Sequence, residues 1–405
     1  MKATEADLNY ILSPKAIREK SNLLFDLTLK GKTHFEYHES QLLPVVDFVI
    51  EVIKKNYPDL NIPFHSRWGH FKVGGIDRLK SLNDKIASLP KAEQARIKLD
   101  LVVVSVLLDA GAGEKWSFFE EQSKQSFGRS EGLAVASLYM FLNGDFSHDP
   151  KQPWQVTAQG LMNLTKEKLE KGFQVTALNP LIGVEGRLSL LKTLGETLAK
   201  NGTHFKHSRP GFIFDFMQSK GSLVEAVDLL RAVLDGLGPI WPGRISLNGI
   251  NLGDVWHHSL LGSKEDFNSL VPFHKLSQWM TYSLIEPIEE AGVKVQNVHL
   301  MTGLPEYRNG GLLLDKGILT LKNPELLTRA HKPDSDLIVE WRALTIVLLD
   351  KIGELVRQKL HKSEADFPLA KVLEGGTWWA GRIAAKEKRA DGTPPLKLDS
   401  DGTVF

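Results

Sequence analysis

One buried helix places the strongest constraint on what this chain can fold into. The segment SDLIVEWRALTIVLLDKIGELV, residues 335–356, is apolar almost all the way round a helix between Leu337 and Leu349, as in helices that are buried on every side. Glu340 and Arg342 interrupt this apolar band. An unpaired charge removed from water costs several kcal/mol, so we predict that both side chains are buried and that at least one meets an opposite charge. Such charges either join helices as an ion pair or belong to a functional site.

Helical periodicity dominates the rest of the chain as well. Several predicted helices follow residues that cap helices well, such as Ser130, Ser222 and either Asp334 or Ser335. Apolar residues recur at spacings of three and four in the segments 42–55, 130–142, 186–200, 222–237, 273–291 and 336–360. Weak alternation around turn residues predicts short strands in 244–254, 293–300 and 397–405. The sequence therefore predicts a mainly α-helical fold with short β pieces.

The chain shows no sign of separate domains joined by linkers. It contains no fixed-period repeat and no low-complexity tract, and its Gly and Pro residues are scattered between the helical segments. A length of 405 residues suffices for one large core or for two lobes that share an interface. We predict a single compact unit over 1–405, with two helical lobes of about 1–170 and 171–405 as its possible subdivision.

Charge and composition narrow the partners and the chemistry. Lys and Arg number 50 against 49 Asp and Glu, a balance that gives no general attraction to nucleic acid or to an anionic membrane. A small-molecule substrate is therefore the expected partner. The absence of cysteine excludes disulfides, thiolate nucleophiles and cysteine-ligated metal. We predict neither a metal site nor a cofactor, and the oligomeric state is left open.

The sequence also bears on location. The first twenty residues mix charges into their apolar positions and lack the apolar stretch of a secretory signal. The most apolar run, at 99–108, is far shorter than the roughly 20 residues of a membrane span. We therefore expect a cytoplasmic protein without a membrane segment.

Two segments combine charged and aromatic residues in patterns that are typical of catalytic or binding sites. In LPEYRNGG, residues 304–311, an acid, an aromatic and an arginine precede Asn-Gly-Gly, which predicts a turn that sets where these side chains point. In VPFHKLSQWMTYSL, residues 271–284, a helix entered after Pro272 carries a polar stripe that includes Lys275 and Tyr282. A solvated helix face is the simpler interpretation of that stripe.

Two further segments give weaker signals. IPFHSRWGHFKVGGIDR, residues 62–78, concentrates basic and aromatic residues that suit stacking on a flat ligand or binding of an anion, although a partly buried loop explains them equally well. His65 and His70 have no metal-binding pattern around them. In LEGGTWWAGR, Thr377 follows two glycines, so it is either a simple cap or part of an anion site at a helix N-terminus.

The longer strings of this sequence resemble known families. VPFHKLSQWMTYSL, TGLPEYRNGGLLLDKGILTL and VEWRALTIVLL resemble, in order, segments of the queuosine nucleosidase family. Over nearly its full length the chain is more similar to uracil catabolism proteins of the Urg3 type, found in fungi and bacteria. That similarity runs through IPFHSRWGHF, GRSEGLAVASL, NPLIGVEGR, LAKVLEGGTWWAGR and the terminal SDGTVF.

The resemblance implies a fold and an activity. It implies a step in a pathway that degrades uracil through ribosylurea toward urea. The similar nucleosidases hydrolyse N-glycosidic bonds and have a helical fold that resembles the helix-hairpin-helix DNA glycosylases. Taken together, these likenesses imply an N-ribosyl hydrolase that cleaves ribosylurea, or its 5'-phosphate, and releases urea.

The same resemblance implies roles for particular residues. Glu306 takes the position of an aspartate that acts at the anomeric carbon, and Lys275 falls on the lysine of an aromatic-lysine pair. His274 replaces a tyrosine, and either His274 or Lys275 is expected to serve the leaving urea as proton donor or anchor. Arg308 is expected to keep Glu306 ionised or to bind a ribose or phosphate oxygen. The remaining predicted contacts to substrate are Phe273, Tyr307, Trp341, Glu340, His65 and Arg67.

Other functions remain open at this point. An amidohydrolase of the same pathway is one alternative, although such enzymes usually need a metal or a Cys or Ser nucleophile. A noncatalytic ligand-binding or regulatory protein is the second. A DNA glycosylase is the third, and the even charge balance makes it the weakest.

Overall fold

The computed structural model describes residues 3–399 and confirms a mainly helical architecture, with a helical content of 57%. No helix within these residues is both long and apolar enough to span a bilayer. The α-helices are α1 (Glu5–Ile11), α2 (Pro14–Leu29), α3 (Leu42–Asn56), α4 (Arg67–Phe71), α5 (Leu79–Ile86), α6 (Lys91–Leu107), α7 (Arg129–Leu142), α8 (Ala158–Met162), α9 (Lys166–Gly172), α10 (Val184–Lys200), α11 (Ile213–Gln218), α12 (Ala226–Leu237), α13 (Lys275–Glu290), α14 (Tyr307–Asp315), α15 (Asp336–Leu360), α16 (Leu369–Val372) and α17 (Trp378–Lys388).

The strands are short and pair only in twos within the described residues. They are β1 (Phe35–Tyr37), β2 (Ser117–Glu120), β3 (Gln125–Gly128), β4 (Leu223–Glu225), β5 (Ser246–Leu247), β6 (Ile250–Asn251), β7 (Val255–His257), β8 (Leu270–Pro272), β9 (Lys294–Gln296), β10 (Leu319–Leu321), β11 (Ala330–His331) and β12 (Lys397–Leu398). The pairs β1–β10, β2–β3, β5–β6 and β7–β8 are antiparallel, whereas β4–β9 and β11–β12 are parallel.

Each of the three predicted strand segments contains at least one strand. The 244–254 segment forms the β5–β6 hairpin, and the 293–300 segment contains β9. The third signal, 397–405, yields β12 at its start, and its remainder from 400 onward lies outside the described residues.

The chain forms two compact units, each built from separate stretches of sequence. The first comprises 3–65, 243–278 and 297–399, and the second comprises 66–242 and 279–296. The stretches alternate along the chain, whereas the subdivision considered from the sequence cuts it once near residue 170. Contacts between elements far apart in sequence produce this alternation, and local patterns do not record such contacts.

Helix α12 corrects one predicted boundary. A helix was expected from Ser222, but residues 223–225 form β4, and α12 starts at Ala226. The carbonyl of Ser222 accepts a hydrogen bond from the N–H of Lys294 at 2.9 Å, and β4 then runs parallel to β9. Pairing with a strand about seventy residues away therefore overrides a local helical pattern.

The predicted caps were only partly right. The residue that caps α7 is Gly128, and the hydroxyl of Ser130 donates instead to Asp109. Ser335 does cap α15, but its side chain makes no capping hydrogen bond. Packing of the apolar faces therefore stabilises this helix, without a side-chain hydrogen bond at its start.

Helix α15 is the centre of the first unit and matches its predicted bounds, Asp336–Leu360. It packs against α2, α3 and α14. Glu340 and Arg342 are each 1% exposed, which confirms that both charges are buried. Glu340 accepts hydrogen bonds from the backbone N–H of His34 and lies 2.8 Å from the His34 ring and 3.2 Å from Nε2 of His258.

Helix α14 corrects the prediction of a turn at Asn-Gly-Gly. Residues 309–311 lie inside α14, and neither glycine there has a positive φ. A glycine is required at position 310 because a larger residue would not fit. Its Cβ atom would lie 2.7 Å from Cε2 of Trp341. The Trp341 Nε1–H donates to the carbonyl of Gly310 at 3.0 Å. The glycines therefore permit close packing of helices.

Gly381 offers a direct test of this close packing. A Cβ atom there would lie 2.3 Å from the carbonyl oxygen of Arg308, so Gly381→Ala must push α17 away from α14. We expect the free energy of unfolding to fall by about 1–3 kcal/mol, as for other overpacked sites. Chemical denaturation measures it. Gly186→Ala is the control, because its Cβ meets nothing within 4 Å in α10. That variant should be unchanged or slightly more stable, and equal effects of the two changes would contradict the packing.

Candidate active site around Glu306

Glu306 is the capping residue at the start of α14. Its Oε2 accepts the N–H of Arg308 and its Oε1 accepts the N–H of Asn309, each at 2.7 Å. These two bonds satisfy N–H groups that a helix start leaves without partners. The side chain is buried, with the residue 7% exposed. One carboxylate is thus held at a helix N-terminus in a fixed orientation, and each oxygen retains a further lone pair.

Burial is the largest influence on the pKa of Glu306. Burial raises the pKa of Glu306 above its ordinary value of 4.5. The positive charge of Lys275, the N–H groups of Arg308 and Asn309, and the charge of Arg308 all act in the opposite direction and are outweighed. A carboxyl group with a raised pKa and a lysine whose charge acts on it is a combination found at catalytic sites.

The raised pKa of Glu306 predicts a pH dependence of stability. Above 4.5 the folded state binds this proton more tightly than the unfolded state does, so the free energy of unfolding falls as the pH rises toward the raised value. Glu306→Gln lacks this titration. We expect the stability of the wild type relative to Glu306→Gln, measured by urea denaturation, to decline as the pH rises above 4.5. A difference that grows with pH would contradict a raised pKa.

A buried ion pair joins the two segments that carry Glu306 and Lys275. Asp254 accepts both Nη atoms of Arg342 at 2.7 Å and the backbone N–H of Lys275 at 3.0 Å. Arg342 Nε in turn points to the carbonyl of Pro305 at 3.4 Å. Burial alone would raise the pKa of Asp254, but the charge and hydrogen bonds of Arg342 outweigh it and hold that pKa well below its usual range. Asp254 therefore stays ionised and anchors the start of α13.

Asp254 was missed in the sequence. It follows a Gly in the weakly alternating segment 244–254, where nothing local marks it. The only available signal was the predicted need of Arg342 for a carboxylate, which does not say which carboxylate supplies it.

Most of the polar stripe of α13 is buried, with Lys275 partly exposed, so the interpretation as a solvated helix face was wrong. His274, Gln278 and Tyr282 are at most 1% exposed. Gln278 Oε1 accepts the backbone N–H of Thr302 at 3.0 Å. Gln278 therefore forms a second connection between α13 and the segment that leads to Glu306.

His274 is committed to the backbone. Its Nε2 lies 2.9 Å from the carbonyl oxygen of Ile11. Since that oxygen only accepts, Nε2 carries the proton in this contact. Burial lowers the pKa of His274, so the ring is neutral near neutral pH. Its φ of 48° is left-handed, which marks the turn into α13.

Arg308 lies among aromatic rings. Its Cζ is 5.0 Å from the ring centre of Tyr307 and 6.0 Å from that of Trp378. The imidazole of His65 lies 5.8 Å from the same Trp378, and its Nδ1 is 2.7 Å from Oε2 of Glu374. The structure thus brings His65, Tyr307 and Arg308 to one aromatic cluster.

The other predicted residues of the first unit have structural partners. Phe273 lies under the guanidinium of Arg342, with 4.1 Å between Cζ and the ring centre. Trp341 donates to Gly310, and Glu340 is engaged by histidines as described above. These side chains support the site residues from within the core, and the described contacts give none of them a position against Glu306.

Arg67 belongs to the second unit. It is fully buried there, and its Nη1 and Nε donate to Asp109 at 2.8 Å and to Ser105 at 2.7 Å. Its described contacts are those of a core ion pair.

Thr377 is not the helix start that the sequence suggested. It has helical angles and ends a π-helical segment, Leu373–Thr377, that continues from α16 into α17. The preceding glycines are required by packing, because a Cβ at Gly375 would lie 2.6 Å from Ile62. Its buried Oγ1 has no hydrogen-bond partner within residues 3–399. Such π segments frequently occur at functional sites.

The arrangement suits acid-base chemistry or charge stabilisation. It supplies one buried carboxyl group, a lysine whose charge acts on it, and an arginine among aromatic rings. In the described part of the chain, no three His, Asp or Glu side chains are grouped so that they would hold a metal ion.

The fold and this site define a class: mainly helical proteins with a buried, helix-capping glutamate beside a lysine and an arginine. The chain belongs to the family described as "Protein of unknown function (DUF1688)", whose model matches residues 10–405. It is 40% identical over 436 residues to "Uracil catabolism protein 4" of Lachancea kluyveri, which covers 98% of this chain and 99% of that protein. It is 44% identical over 407 residues to "Protein urg3" of Schizosaccharomyces pombe (strain 972), with 98% of each covered. The predicted resemblance to Urg3-type proteins is thereby confirmed.

Proposed function

We propose that this protein acts in uracil catabolism as an N-ribosyl hydrolase, which cleaves the glycosidic bond of ribosylurea or of its 5'-phosphate. The observation that carries the proposal is Glu306, a buried carboxyl group fixed by two backbone N–H groups and acted on by the charge of Lys275. The name of the Lachancea kluyveri relative refers to uracil catabolism. The fold resembling helix-hairpin-helix glycosylases and the likeness to queuosine nucleosidases stay predictions.

The chemistry of glycoside cleavage requires a carboxylate at this kind of position. As the C1–N bond breaks, positive charge develops on the ribose ring, and an ionised Glu306 beside C1 stabilises it. Water supplies the oxygen that ends on C1. Because Arg308 and Asn309 fix both carboxylate oxygens beforehand, little reorganisation accompanies the reaction.

The departing urea nitrogen needs a proton, because urea is a poor leaving group as an anion. Lys275 is the donor that the structure favours, since its charge acts on Glu306 and its backbone is anchored by Asp254. His274 is the weaker candidate, because its Nε2 proton is engaged by Ile11. The Lys275 ammonium gives a proton to the departing nitrogen, and the water that attacks C1 releases a proton that returns to the Lys275 amine, so that ribosylurea and water give ribose and urea.

The direct test uses purified protein with ribosylurea and with its 5'-phosphate. Urea and the free sugar, or sugar phosphate, are measured separately. Equal release of urea and sugar is expected. Ammonia without free sugar would indicate the amidohydrolase instead, and urea without free sugar would exclude simple glycoside hydrolysis.

The capping role of Glu306 also fits a noncatalytic binding protein, because a cap alone would explain why the glutamate is present. Saturable binding of ribosylurea without release of any product over long incubation would favour that function.

A further inference from the structure

We propose that Arg308 forms an anion subsite of the Glu306 site and that the protein therefore acts on a phosphate monoester, the 5'-phosphorylated glycoside. This inference rests on the proposed function for the identity of the glycoside. The subsite itself rests on the contacts of Arg308, which differ from those of the other buried arginines.

Six arginines are at least nine-tenths buried in the described residues, and five of them have hydrogen-bonded partners for their guanidinium groups. Carboxylates serve four of these side chains, and backbone carbonyls serve the fifth. The five are Arg67, Arg78, Arg187, Arg209 and Arg342.

Arg308 is the exception. It is 6% exposed, and the hydrogen bonds described for it involve only its backbone. Its Nε is buried without a hydrogen-bond partner within residues 3–399. A buried N–H group without an acceptor is destabilising, so the Nε–H of Arg308 favours a ligand that can accept its hydrogen bond. Each of the other five has at least one carboxylate or carbonyl partner for its guanidinium, whereas the side chain of Arg308 has none within residues 3–399.

The surroundings of Arg308 hold it in place without neutralising it. The rings of Tyr307 and Trp378 contact its guanidinium at 5.0 and 6.0 Å, which orients the planar group. Arg382 lies over the same Trp378 ring at 4.9 Å. Two guanidinium groups therefore lie within 6.0 Å of one indole ring.

The local balance of charge favours an anionic ligand. The positive charges of Lys275 and Arg308 both interact with the carboxylate of Glu306 and act to lower its pKa. No carboxylate is hydrogen-bonded to the side chain of Arg308 within residues 3–399, so an anionic ligand would supply the negative partner. The fork of a guanidinium matches two phosphate oxygens, and phosphate contacts of this kind are charge-assisted and strong.

A phosphate accounts for the observations better than a neutral sugar does. A ribose hydroxyl could accept from Nε, but it would bring no negative charge to the guanidinium of Arg308. Thr377, directly before Trp378, adds a buried hydroxyl whose Oγ1 has no partner in the described residues. It can donate to another phosphate oxygen.

The test is a binding measurement, because binding does not depend on turnover. Ribose 5-phosphate and ribose are titrated into the full-length protein by calorimetry. Ribose 5-phosphate should bind at least about 30-fold more tightly, the ratio expected for a buried charge pair. Inorganic phosphate should bind more weakly than the ester, since it lacks the sugar. Equal affinity for ribose and ribose 5-phosphate would overturn the subsite, and tighter binding of inorganic phosphate would overturn the ester as its ligand.

Variants of Arg308 test whether the preference for ribose 5-phosphate over ribose depends on this side chain. Arg308→Gln should remove most of the 30-fold preference, and Arg308→Lys should retain part of it, because a lysine keeps the charge but not the fork. Arg389→Gln is the matched control, since Arg389 is paired with Asp315, and it should keep the full preference. If Arg308→Gln does not fold, Arg308→Lys alone decides. An unchanged ratio in the Arg308 variant that folds would refute the assignment.

These outcomes separate the subsite from the proposed hydrolase. Glu306→Gln should bind ribose 5-phosphate with the preference intact even though its turnover is lost. A phosphate preference that depends on Arg308, in a protein that releases no urea, would leave the subsite standing and remove the hydrolase. Urea release without any preference for the phosphate ester would support the hydrolase and remove the subsite.

Discussion

Glu306→Gln is expected to lower the release of urea from the ribosylated substrate by about 10²- to 10³-fold, the range for loss of one fixed electrostatic group at a transition state. Glutamine keeps the size and one accepting oxygen, so α14 still has a cap. The negative charge that would stabilise the developing cation is gone. The loss should therefore fall mainly on kcat, and circular dichroism should show an unchanged helical content.

The control for this change is a carboxylate that caps a helix elsewhere. Asp7 accepts the N–H of Thr4 at 2.8 Å in the capping box of α1 and lies on the exposed surface. Asp7→Asn should leave turnover unchanged and alter stability by about 1 kcal/mol or less. Near-normal turnover in Glu306→Gln would remove this residue from the mechanism and leave the cap as its function.

Asp254→Asn is expected to cause the largest loss of stability, about 3–5 kcal/mol in the free energy of unfolding. The change leaves the buried guanidinium of Arg342 without its carboxylate, and breaking one side of a buried pair has an effect of that size. The same change releases the backbone of Lys275 and loosens the contact of Arg342 with Pro305. Turnover at temperatures where the variant is folded should therefore fall as well, with kcat affected more than KM.

The matched control is Asp350→Asn. Asp350 also pairs with an arginine, Arg18, at 2.8 Å, but the two side chains are 33% and 28% exposed. Solvent screens this pair, so its loss should cost about 0–1 kcal/mol. Urea denaturation of both variants gives the comparison. Similar losses in Asp254→Asn and Asp350→Asn would show that Asp254 is no more than an ordinary surface partner of Arg342.

The elements that depend on local periodicity could be predicted from the sequence. Helix α15 was predicted with its observed bounds, because its apolar residues surround the helix and packing then enforces them. The burial of Glu340 and Arg342 followed from the same pattern. A short hairpin at residues 244–254 was also predictable, since turn residues act within a few positions.

The candidate site was only partly visible in the sequence. Glu306, Arg308 and Lys275 stood out as charged residues beside aromatic ones. Their mutual placement was not derivable, because Asp254 and Arg342, which join their segments, are 88 residues apart in the chain.

The sequence by itself determined the helical class, the central buried helix and the need of its two charges for partners. Tertiary structure alone decided that residues 309–311 are helical, that Gln278 and Tyr282 of the α13 stripe are buried, and that Asp254 is the partner of Arg342. The physical reason is the range of the interactions. Periodicity and capping act over a few residues, whereas burial, ion pairs and the space that Gly310 leaves for Trp341 depend on segments that meet only after the chain has folded.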